Sequence, residues 1–271
     1  MLKRTITGAF ITVAACIVLY FSYIPEVMPI ACAVMAAFSV YELCHATGYS
    51  GNEMFLTVSL LAAVGLSSLH LPHYAQIIRI LFPITVIGFI VLMRLLKHSS
   101  LKNPLKMIAL NLTVILLFQA FPVLRQEAHG LYYLAGAMIA CATTDVAAYL
   151  VGRSVGKHKL IPSVSPNKTV EGSLGGLLFA VLVLLLLGVG LEQAGVIQVD
   201  YPKLVLYSIL ASIVGQFGDL SMSAVKRVCG IKDFGNIFPG HGGMLDRFDS
   251  QLMVVPFTLL YCNLTGGFIL P

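Results

Sequence analysis

Charged residues are scarce in this chain of 271 residues. Lys and Arg number 17 and Asp and Glu number 12, together 11% of the sequence, whereas 58% of the residues are hydrophobic. A typical soluble domain carries about 25% charged residues. So little polar material cannot cover a water-soluble globule, which excludes the soluble, fibrous and disordered classes. The composition indicates a protein whose solvent is a lipid bilayer.

Paired cysteines are also missing. The six cysteines stand singly, most of them in apolar runs, and none is at a metal-ligand or redox spacing. We interpret them as small buried hydrophobes rather than disulfide or zinc residues. The first apolar run follows Lys3 and Arg4 and has no clear small-residue cleavage site, so we expect it to be retained as a helix.

Apolar runs long enough to cross a bilayer, about 20 residues each, recur along the whole chain. They predict an all-α, polytopic integral membrane protein with about nine transmembrane helices. The predicted spans cover residues 5–23, 27–45, 53–71, 75–96, 105–124, 131–152, 172–194, 204–229 and 251–270.

The distribution of basic residues predicts the orientation of these helices. If nine helices alternate in direction, only Arg125 and Lys203 fall on one side, and Arg79 lies inside a helix. Loops rich in Lys and Arg stay in the cytoplasm, so we expect a cytoplasmic amino terminus. The other side collects Lys3, Arg4, Arg94, Lys97, Lys102, Lys106, Arg153, Lys157, Lys159, Lys168, Lys226, Arg227, Lys232 and Arg247.

The two halves of the chain differ in their loops. We interpret residues 1–124, whose loops are short, as a scaffold of lipid-facing helices. Residues 125–271 carry longer loops rich in Gly, Ser, Pro and charged residues, and we predict that they form the catalytic region. Gly172 and Gly176 lie on one face of a predicted helix, and this small-residue spacing is typical of close helix packing.

Acidic residues inside predicted spans are functional candidates, because an unpaired carboxylate in hydrocarbon costs several kcal/mol. Asp145 and Asp219 each lie seven residues before the cytoplasmic end of a helix, roughly 10 Å deep at about 1.5 Å per residue. Their matching depth suggests one shared polar cavity, although polar contacts between helices are the alternative. Glu42 lies near a helix end, where an anchoring role and a catalytic role are equally plausible.

The densest polar segment, residues 223–249, follows the eighth predicted span. Gly240, Gly242 and Gly243 surround His241 and let backbone N–H groups approach an anion closely. Carboxylates among so many cations indicate that a divalent metal accompanies the phosphate, since Mg²⁺ prefers hard oxygen ligands. Charge for several phosphates would come from Lys226, Arg227, Lys232 and Arg247.

This segment resembles the signature of the phosphatidate cytidylyltransferase (CDP-diacylglycerol synthase) family. It carries, in order, Ser-x-x-Lys-Arg from Ser223, Lys-Asp at 232–233, His-Gly-Gly from His241 and Asp-Arg-x-Asp from Asp246. Residues 145–149, 152–157 and 165–172 are similar to further patterns of that family. The resemblance spans residues 145–249, a little under half of the chain, and the amino-terminal helices share only their hydrophobicity.

The resemblance implies an enzyme that joins CTP to phosphatidic acid, giving CDP-diacylglycerol and pyrophosphate with Mg²⁺, and it leaves room for a second cation. It implies a bacterial plasma (inner) membrane protein whose active site faces the cytoplasm. The implied catalytic residues are Asp219, Lys226, Arg227, His241, Asp246 and Arg247. Metal binding falls to Asp219, Asp246 and Asp249, and substrate binding to Asp145, Ser165, Lys168, Ser223, Lys232, Gly240, Gly242 and Gly243.

Some roles have a structural alternative. Ser165 and Pro166 resemble a helix start, with Ser165 as N-cap, and a helix start facing the cytoplasm also attracts phosphate. Asp249 is either a second metal ligand or a residue that orients Arg247.

Two other functions fit part of the pattern. A CTP-dependent membrane lipid kinase would transfer the γ-phosphoryl group instead of the cytidylyl group. A transporter of a phosphorylated solute would place polar residues through both leaflets, whereas here the acids gather toward one face. No basic and aromatic platform for nucleic acid is present, and the small-residue helix faces permit a homodimer.

Overall fold

The computed structural model of the chain describes residues 2–68, 73–94, 101 and 103–270. These residues are mostly helical, with two small antiparallel sheets of two strands each. The helices are α1 (Leu2–Phe21), α2 (Val27–Thr47), α3 (Glu53–Ser68), α4 (Tyr74–Arg94), α5 (Pro104–Phe118), α6 (Ala120–Gln126), α7 (Gly130–Val155), α8 (Val170–Gln193), α9 (Tyr201–Val228), α10 (Leu245–Phe248) and α11 (Gln251–Thr265). The strands are β1 (Lys159–Ile161), β2 (Ser165–Thr169), β3 (Gln198–Val199) and β4 (Ile269–Leu270).

Six helical segments of the described chain are long and apolar enough to cross a membrane. They confirm a mostly helical protein with several membrane-spanning helices. Three further apolar helices, Thr7–Phe21, Glu53–Leu66 and Gln251–Thr265, are shorter, so the count of nine stays a prediction. The predicted span ends at residues 71 and 96, and the basic residues Lys97 and Lys102, lie outside the described residues.

The carboxyl-terminal end differs from the prediction. The expected helix over 251–270 ends at Thr265, because Gly266 (φ +77°) and Gly267 (φ +80°) adopt left-handed conformations that stop a helix. Ile269 and Leu270 instead form β4, which pairs with Val199 and Gln198 of β3. The short sheet lies where α8 ends and α9 begins.

The segment before α8 also differs from the prediction. Ser165 is not a helix N-cap, because residues Ser165–Thr169 form strand β2, which pairs with β1 as a hairpin. The helix begins four residues later, where Thr169 Oγ1 accepts the Gly172 N–H at 3.1 Å. Both Ser165 and Thr169 have the side chain of an N-cap. The hairpin pairing places only Thr169 at the first turn.

The closest helix packing joins α7 and α8 through glycine. A Cβ atom at Gly172 would lie 2.6 Å from the Ala148 carbonyl oxygen, and one at Gly176 would lie 2.7 Å from the Thr144 carbonyl oxygen. No side chain fits these contacts without a backbone shift. The prediction that Gly172 and Gly176 pack against another helix is therefore confirmed.

A buried polar network fixes α9 against the same pair of helices. Thr144 Oγ1 of α7 donates to Ser212 Oγ of α9 at 3.0 Å. One turn along α9, the Gln216 amide donates to Ser212 Oγ at 3.3 Å and to the Ser173 carbonyl of α8 at 3.2 Å. Because buried polar groups need partners, this network sets how α7, α8 and α9 face one another just below Asp219.

The hydrophobic core is shared by both halves of the sequence. One cluster of buried side chains runs from Met28 in α2 to Ile269 in β4. The predicted boundary between residues 124 and 125 falls inside α6. Whether the two regions divide into scaffold and catalytic functions stays a prediction.

The glycine contact gives a stability prediction. Gly176→Ala should lower the free energy of unfolding by about 1–3 kcal/mol, because the added methyl group overlaps the Thr144 backbone. The measurement is thermal unfolding in detergent. Gly190→Ala, in the same helix, is the control because nothing lies within 4 Å of its added methyl group. Equal melting temperatures for the two variants would contradict the packing.

Candidate active site

The site is built around the end of α9 that carries Lys226. Asp219, Ser223 and Lys226 lie at helical spacing on one face of α9, and Ser223 Oγ donates to Asp219 Oδ1 at 3.3 Å. Lys226 and Ser223 are buried, and the Asp219 side chain is 24% exposed. The three side chains therefore share one face of α9, as the sequence predicts. The predicted order of depth is not seen, because Lys226 is more buried than Asp219.

The β1–β2 hairpin brings a second cation to Asp219. Lys168 of β2 forms an ion pair with Asp219 Oδ2. Val164, at the tip of the hairpin, is buried against Leu220 and Ala224 of α9, and its carbonyl accepts Arg227 Nε at 3.2 Å. The apolar contact and this hydrogen bond anchor the hairpin, so Lys168 is held over the α9 acid.

A buried ion pair joins α9 to the segment at residues 233–249, here called the motif loop. Lys226 Nζ lies 2.8 Å from Asp246 Oδ1, with both side chains nearly inaccessible. Asp246 Oδ2 accepts the N–H groups of Phe234 at 2.8 Å and Gly243 at 2.9 Å. Both oxygens of Asp246 thus have protein donors. Its role as a metal ligand stays a prediction.

A tight turn presents His241 within the motif loop. The His241 N–H donates to the Phe238 carbonyl at 2.8 Å, with Pro239 and Gly240 between them. Proline followed by glycine at φ +80° is the combination that a type II turn requires. The Gly242 carbonyl (Gly242 φ +82°) accepts the Phe238 N–H at 2.9 Å and closes the turn from the other side.

Helix α1 covers this turn. Thr7 Oγ1 donates to the Pro239 carbonyl at 3.2 Å. A Cβ atom at Gly8 would lie 3.6 Å from His241 Nε2, so the imidazole packs directly on the α1 backbone. His241 Nδ1 is buried and has no hydrogen-bond partner among the described residues. An unpaired buried ring nitrogen is suited to a ligand oxygen.

Three aspartates share one electrostatic neighbourhood at this end of the bundle. Burial, and then the nearby Asp219 carboxylate, raise the pKa of Asp249 well above its usual range, and Asp145 adds to the rise. Asp145 is exposed on α7, in the neighbourhood of Asp219, Lys168 and Arg247. Asp145, Asp219 and Asp249 therefore lie close enough to interact electrostatically, whereas a cavity shared by Asp145 and Asp219 stays a prediction.

These carboxylates do not form a complete metal cage by themselves. Across the described ranges, no three His, Cys, Asp or Glu side chains are grouped closely enough to hold a metal ion. The donor set still fits Mg²⁺, which usually takes one or two carboxylates and keeps water or substrate phosphate as its other ligands. Asp219 and Asp249 provide such hard oxygen atoms.

Other predicted residues lie at the edge of the site. Arg227 is exposed, and its guanidinium donates to the Ile231 carbonyl at 3.1 Å as well as to Val164. Lys232 is exposed on the segment after α9, and Ser165 opens β2 opposite Ile161. The structure gives Arg227 a part in anchoring the hairpin, while the substrate roles of Lys232 and Ser165 stay predictions.

A polar cavity of about 440 Å³ adjoins the motif loop. It lies between the end of α2 and the segment after α9, and its lining includes Tyr41, His45, Asp233, Phe234 and Asn236. The Phe234 ring faces Lys226 Nζ at 5.4 Å, and the Phe234 N–H binds Asp246. The cavity is therefore continuous with the residues that hold the loop. Sequence reasoning missed it, because Tyr41 and His45 carry no motif.

Curated relatives resemble the chain over parts of its length. A phosphatidate cytidylyltransferase of Bacillus subtilis (strain 168) is 47% identical over 131 residues, which are 48% of this chain and 47% of the relative. One of Staphylococcus epidermidis (strain ATCC 12228 / FDA PCI 1200) is 45% identical over 139 residues, 51% of each chain. The matches to these two relatives span about half of their length.

A longer match extends into the amino-terminal half. A phosphatidate cytidylyltransferase of Staphylococcus aureus (strain COL) is 38% identical over 208 residues, 73% of this chain and 76% of the relative. The family model described as "Cytidylyltransferase family" matches residues 2–265. The match covers every helix described above, including those that carry the site, and the chain therefore belongs to the cytidylyltransferase family.

Proposed function

We propose that this protein transfers the cytidylyl group of CTP to phosphatidic acid, giving CDP-diacylglycerol and pyrophosphate. One observation carries the proposal: cations and carboxylates from three separate segments meet at the same end of α9. Lys168 comes from β2, Asp219 and Lys226 from α9, and Asp246 from α10. The name of the relatives, phosphatidate cytidylyltransferase, supports the same reaction.

The chemistry requires no protein nucleophile. An oxygen of the lipid phosphate attacks the α-phosphorus of CTP, the bond from that phosphorus to the bridging β-phosphate oxygen breaks, and pyrophosphate leaves with the electron pair. Both reactants are anions, so the main barrier is charge repulsion together with alignment. A site of fixed cations in a partly buried setting lowers that barrier.

The residues of the site divide this task. Lys168 is half-buried and Arg247 is exposed, and both lie near Asp145. We assign these two cations to the phosphates. The buried Lys226 holds Asp246, so it acts mainly on the shape of the motif loop. The unpaired Nδ1 of His241 is assigned to a phosphate oxygen of the nucleotide.

Magnesium is the cofactor we propose, held by Asp219 and Asp249. A bound Mg²⁺ neutralises phosphate charge and polarises the phosphoryl group. The crowded carboxylates support this assignment. Burial and the nearby Asp219 carboxylate raise the pKa of Asp249, and a bound cation would relieve the repulsion between the two carboxylates. We assign Asp246 to the motif loop rather than to the metal, because Lys226 and two backbone amides already bind its oxygens.

Both substrates need a route to this site. An apolar groove of about 530 Å³ runs between α2 and α3 and ends at Tyr41, which also lines the polar cavity. A groove of this kind suits an acyl chain, while the polar cavity suits a headgroup or nucleotide. We propose that the lipid enters sideways from the leaflet and CTP enters from the aqueous face.

We further propose nine membrane spans in a bacterial plasma (inner) membrane, with the amino terminus and the active site on the cytoplasmic side. The three shorter apolar helices, Thr7–Phe21, Glu53–Leu66 and Gln251–Thr265, would complete the count. The positive-inside distribution supports the orientation, since basic residues gather at the site's end of the bundle, in the loops or at the helix ends beside them. They are Arg153, Lys157, Lys168, Lys226 and Arg247.

The reaction is tested with purified protein in detergent, phosphatidic acid, Mg²⁺ and CTP labelled at the α-phosphorus. Label should enter the lipid and pyrophosphate should be released. Asp219→Asn should lower kcat by at least about 100-fold, because the substitution removes a carboxylate charge that we assign to holding Mg²⁺. Asp200→Asn, at the other end of α9, keeps an N-cap acceptor and should behave like the unmodified chain.

Each rival function gives a different result in that assay. A lipid kinase would transfer label only from γ-labelled CTP. A transporter would produce no labelled lipid at all. Either result with the unmodified protein would overturn the proposed reaction.

Lys168→Met separates catalysis from stability. The Lys168–Asp219 pair is partly exposed, with side chains 27% and 24% accessible, and such a pair contributes no more than about 1 kcal/mol to folding. We therefore expect at least about a tenfold loss of kcat/KM for CTP with a nearly unchanged melting temperature. Lys203→Met is the matched control, since Lys203 forms a similar, partly exposed ion pair with Asp200 at 3.3 Å, at the other end of α9 from the site. Equal activity of the two variants would contradict a role for Lys168 in binding CTP.

The orientation is tested with single cysteines in a chain whose six native cysteines are replaced by alanine. Ser163→Cys lies in the hairpin turn, and Ala194→Cys lies at the opposite end of α8; both positions are exposed. A membrane-impermeant thiol reagent should label Ala194→Cys in intact spheroplasts and Ser163→Cys only after lysis. The reverse labelling pattern would show that the chain has the opposite orientation in the membrane.

A further inference from the structure

Glu42 of α2 is a buried carboxylate in the half of the chain that carries no motif. Its side chain is 2% exposed. Glu42 Oε1 accepts the Met244 N–H at 2.8 Å, and Oε2 accepts the Leu245 N–H at 3.0 Å. A residue near the end of the second helix therefore binds the backbone of the motif loop, about 200 positions along the chain.

Two glycines in the motif loop make room for this carboxylate. A Cβ atom at Gly235 would lie 2.6 Å from Glu42 Oε1, and one at Gly243 would lie 2.3 Å from it. Neither glycine is among the residues of positive φ. Close approach of Glu42, rather than an unusual backbone conformation, therefore requires glycine at both positions.

Glu42 and Asp246 hold consecutive amides. Asp246 accepts the N–H of Gly243, while Glu42 accepts those of Met244 and Leu245. The three amides lead directly into α10, which carries Arg247 and precedes Asp249. Because hydrogen bonds to a buried carboxylate are stronger than those between neutral groups, two carboxylates clamp the backbone just before the residues that we assign to phosphate and metal.

We infer that Glu42 is a positioning residue, which sets Arg247 and Asp249 by fixing the backbone of the motif loop from α2. The inference rests on the proposed function for its kinetic consequence, and on geometry alone for its effect on the loop. A glutamine at this position has one acceptor oxygen, and its NH₂ group would face an N–H group. Glu42→Gln therefore keeps the side-chain volume and removes one of the two hydrogen bonds.

The experiment compares hydrogen exchange and kinetics for Glu42→Gln in metal-free and Mg²⁺-containing detergent. We expect amide exchange in peptides covering residues 243–249 to rise at least about tenfold without Mg²⁺, with α7 and α8 unchanged. We also expect kcat per folded molecule to fall at least about tenfold. Glu26→Gln is the matched control, since Glu26 is exposed at the other end of α2 and makes no side-chain capping bond.

Several outcomes would overturn the inference. They are unchanged exchange in residues 243–249, faster exchange spread through the whole bundle, and a loosened loop with unchanged kcat. If Glu42→Gln does not fold, Gly235→Ala presses on the same carboxylate without removing it and should loosen the same peptides. Failure of both variants to fold would show that Glu42 serves the whole fold rather than the loop.

Failure of the proposed function is distinguishable from failure of this inference. If the unmodified protein forms no labelled lipid, the proposed reaction is wrong. The exchange of residues 243–249 in Glu42→Gln still decides whether Glu42 holds the loop.

Discussion

Glu42 and Asp246 are buried carboxylates that are stable only because a specific donor meets each of their oxygens, and the site depends on that constraint. An unpaired charge removed from water costs several kcal/mol. Asp246 meets the constraint with Lys226 and two amides, and Glu42 meets it with two further amides. These bonds leave the motif loop few alternative conformations. The same bonds that satisfy the acids therefore fix the residues that follow them.

The sequence predicts the main helices and the shared face of α9 well, because both depend on local pattern. The apolar runs identify α7, α8 and α9 to within a few residues, and the spacing of Asp219 and Lys226 gives their shared face. The start of α8 is predicted wrongly, because strand pairing decides it rather than the N-cap pattern. Ser165 and Thr169 are both adequate N-caps, and only pairing with β1 makes the first a strand residue.

Glu42 shows the same limit within the site. Its position near a helix end admits an anchoring role and a catalytic role, and the sequence contains no signal that chooses between them. The choice depends on contacts with Met244 and Leu245. Contact with Glu42 explains glycine at positions 235 and 243. Gly243 has a second explanation in the sequence, however, because it belongs to a glycine-rich segment that resembles a phosphate-binding loop. Tertiary contact alone distinguishes the two explanations.

The balance of charge at the site gives a reason why a metal would accompany an anionic substrate. The acids are Glu42, Asp145, Asp219, Asp246 and Asp249, and the nearby cations are Lys168, Lys226 and Arg247. Lys226 is already committed to Asp246, so acids outnumber the cations that remain. A triphosphate entering this surplus of negative charge would be repelled. These five acids and three cations leave a surplus of two negative charges, which one Mg²⁺ would balance. On the proposed function, this surplus therefore favours a metal-bound nucleotide over the free one.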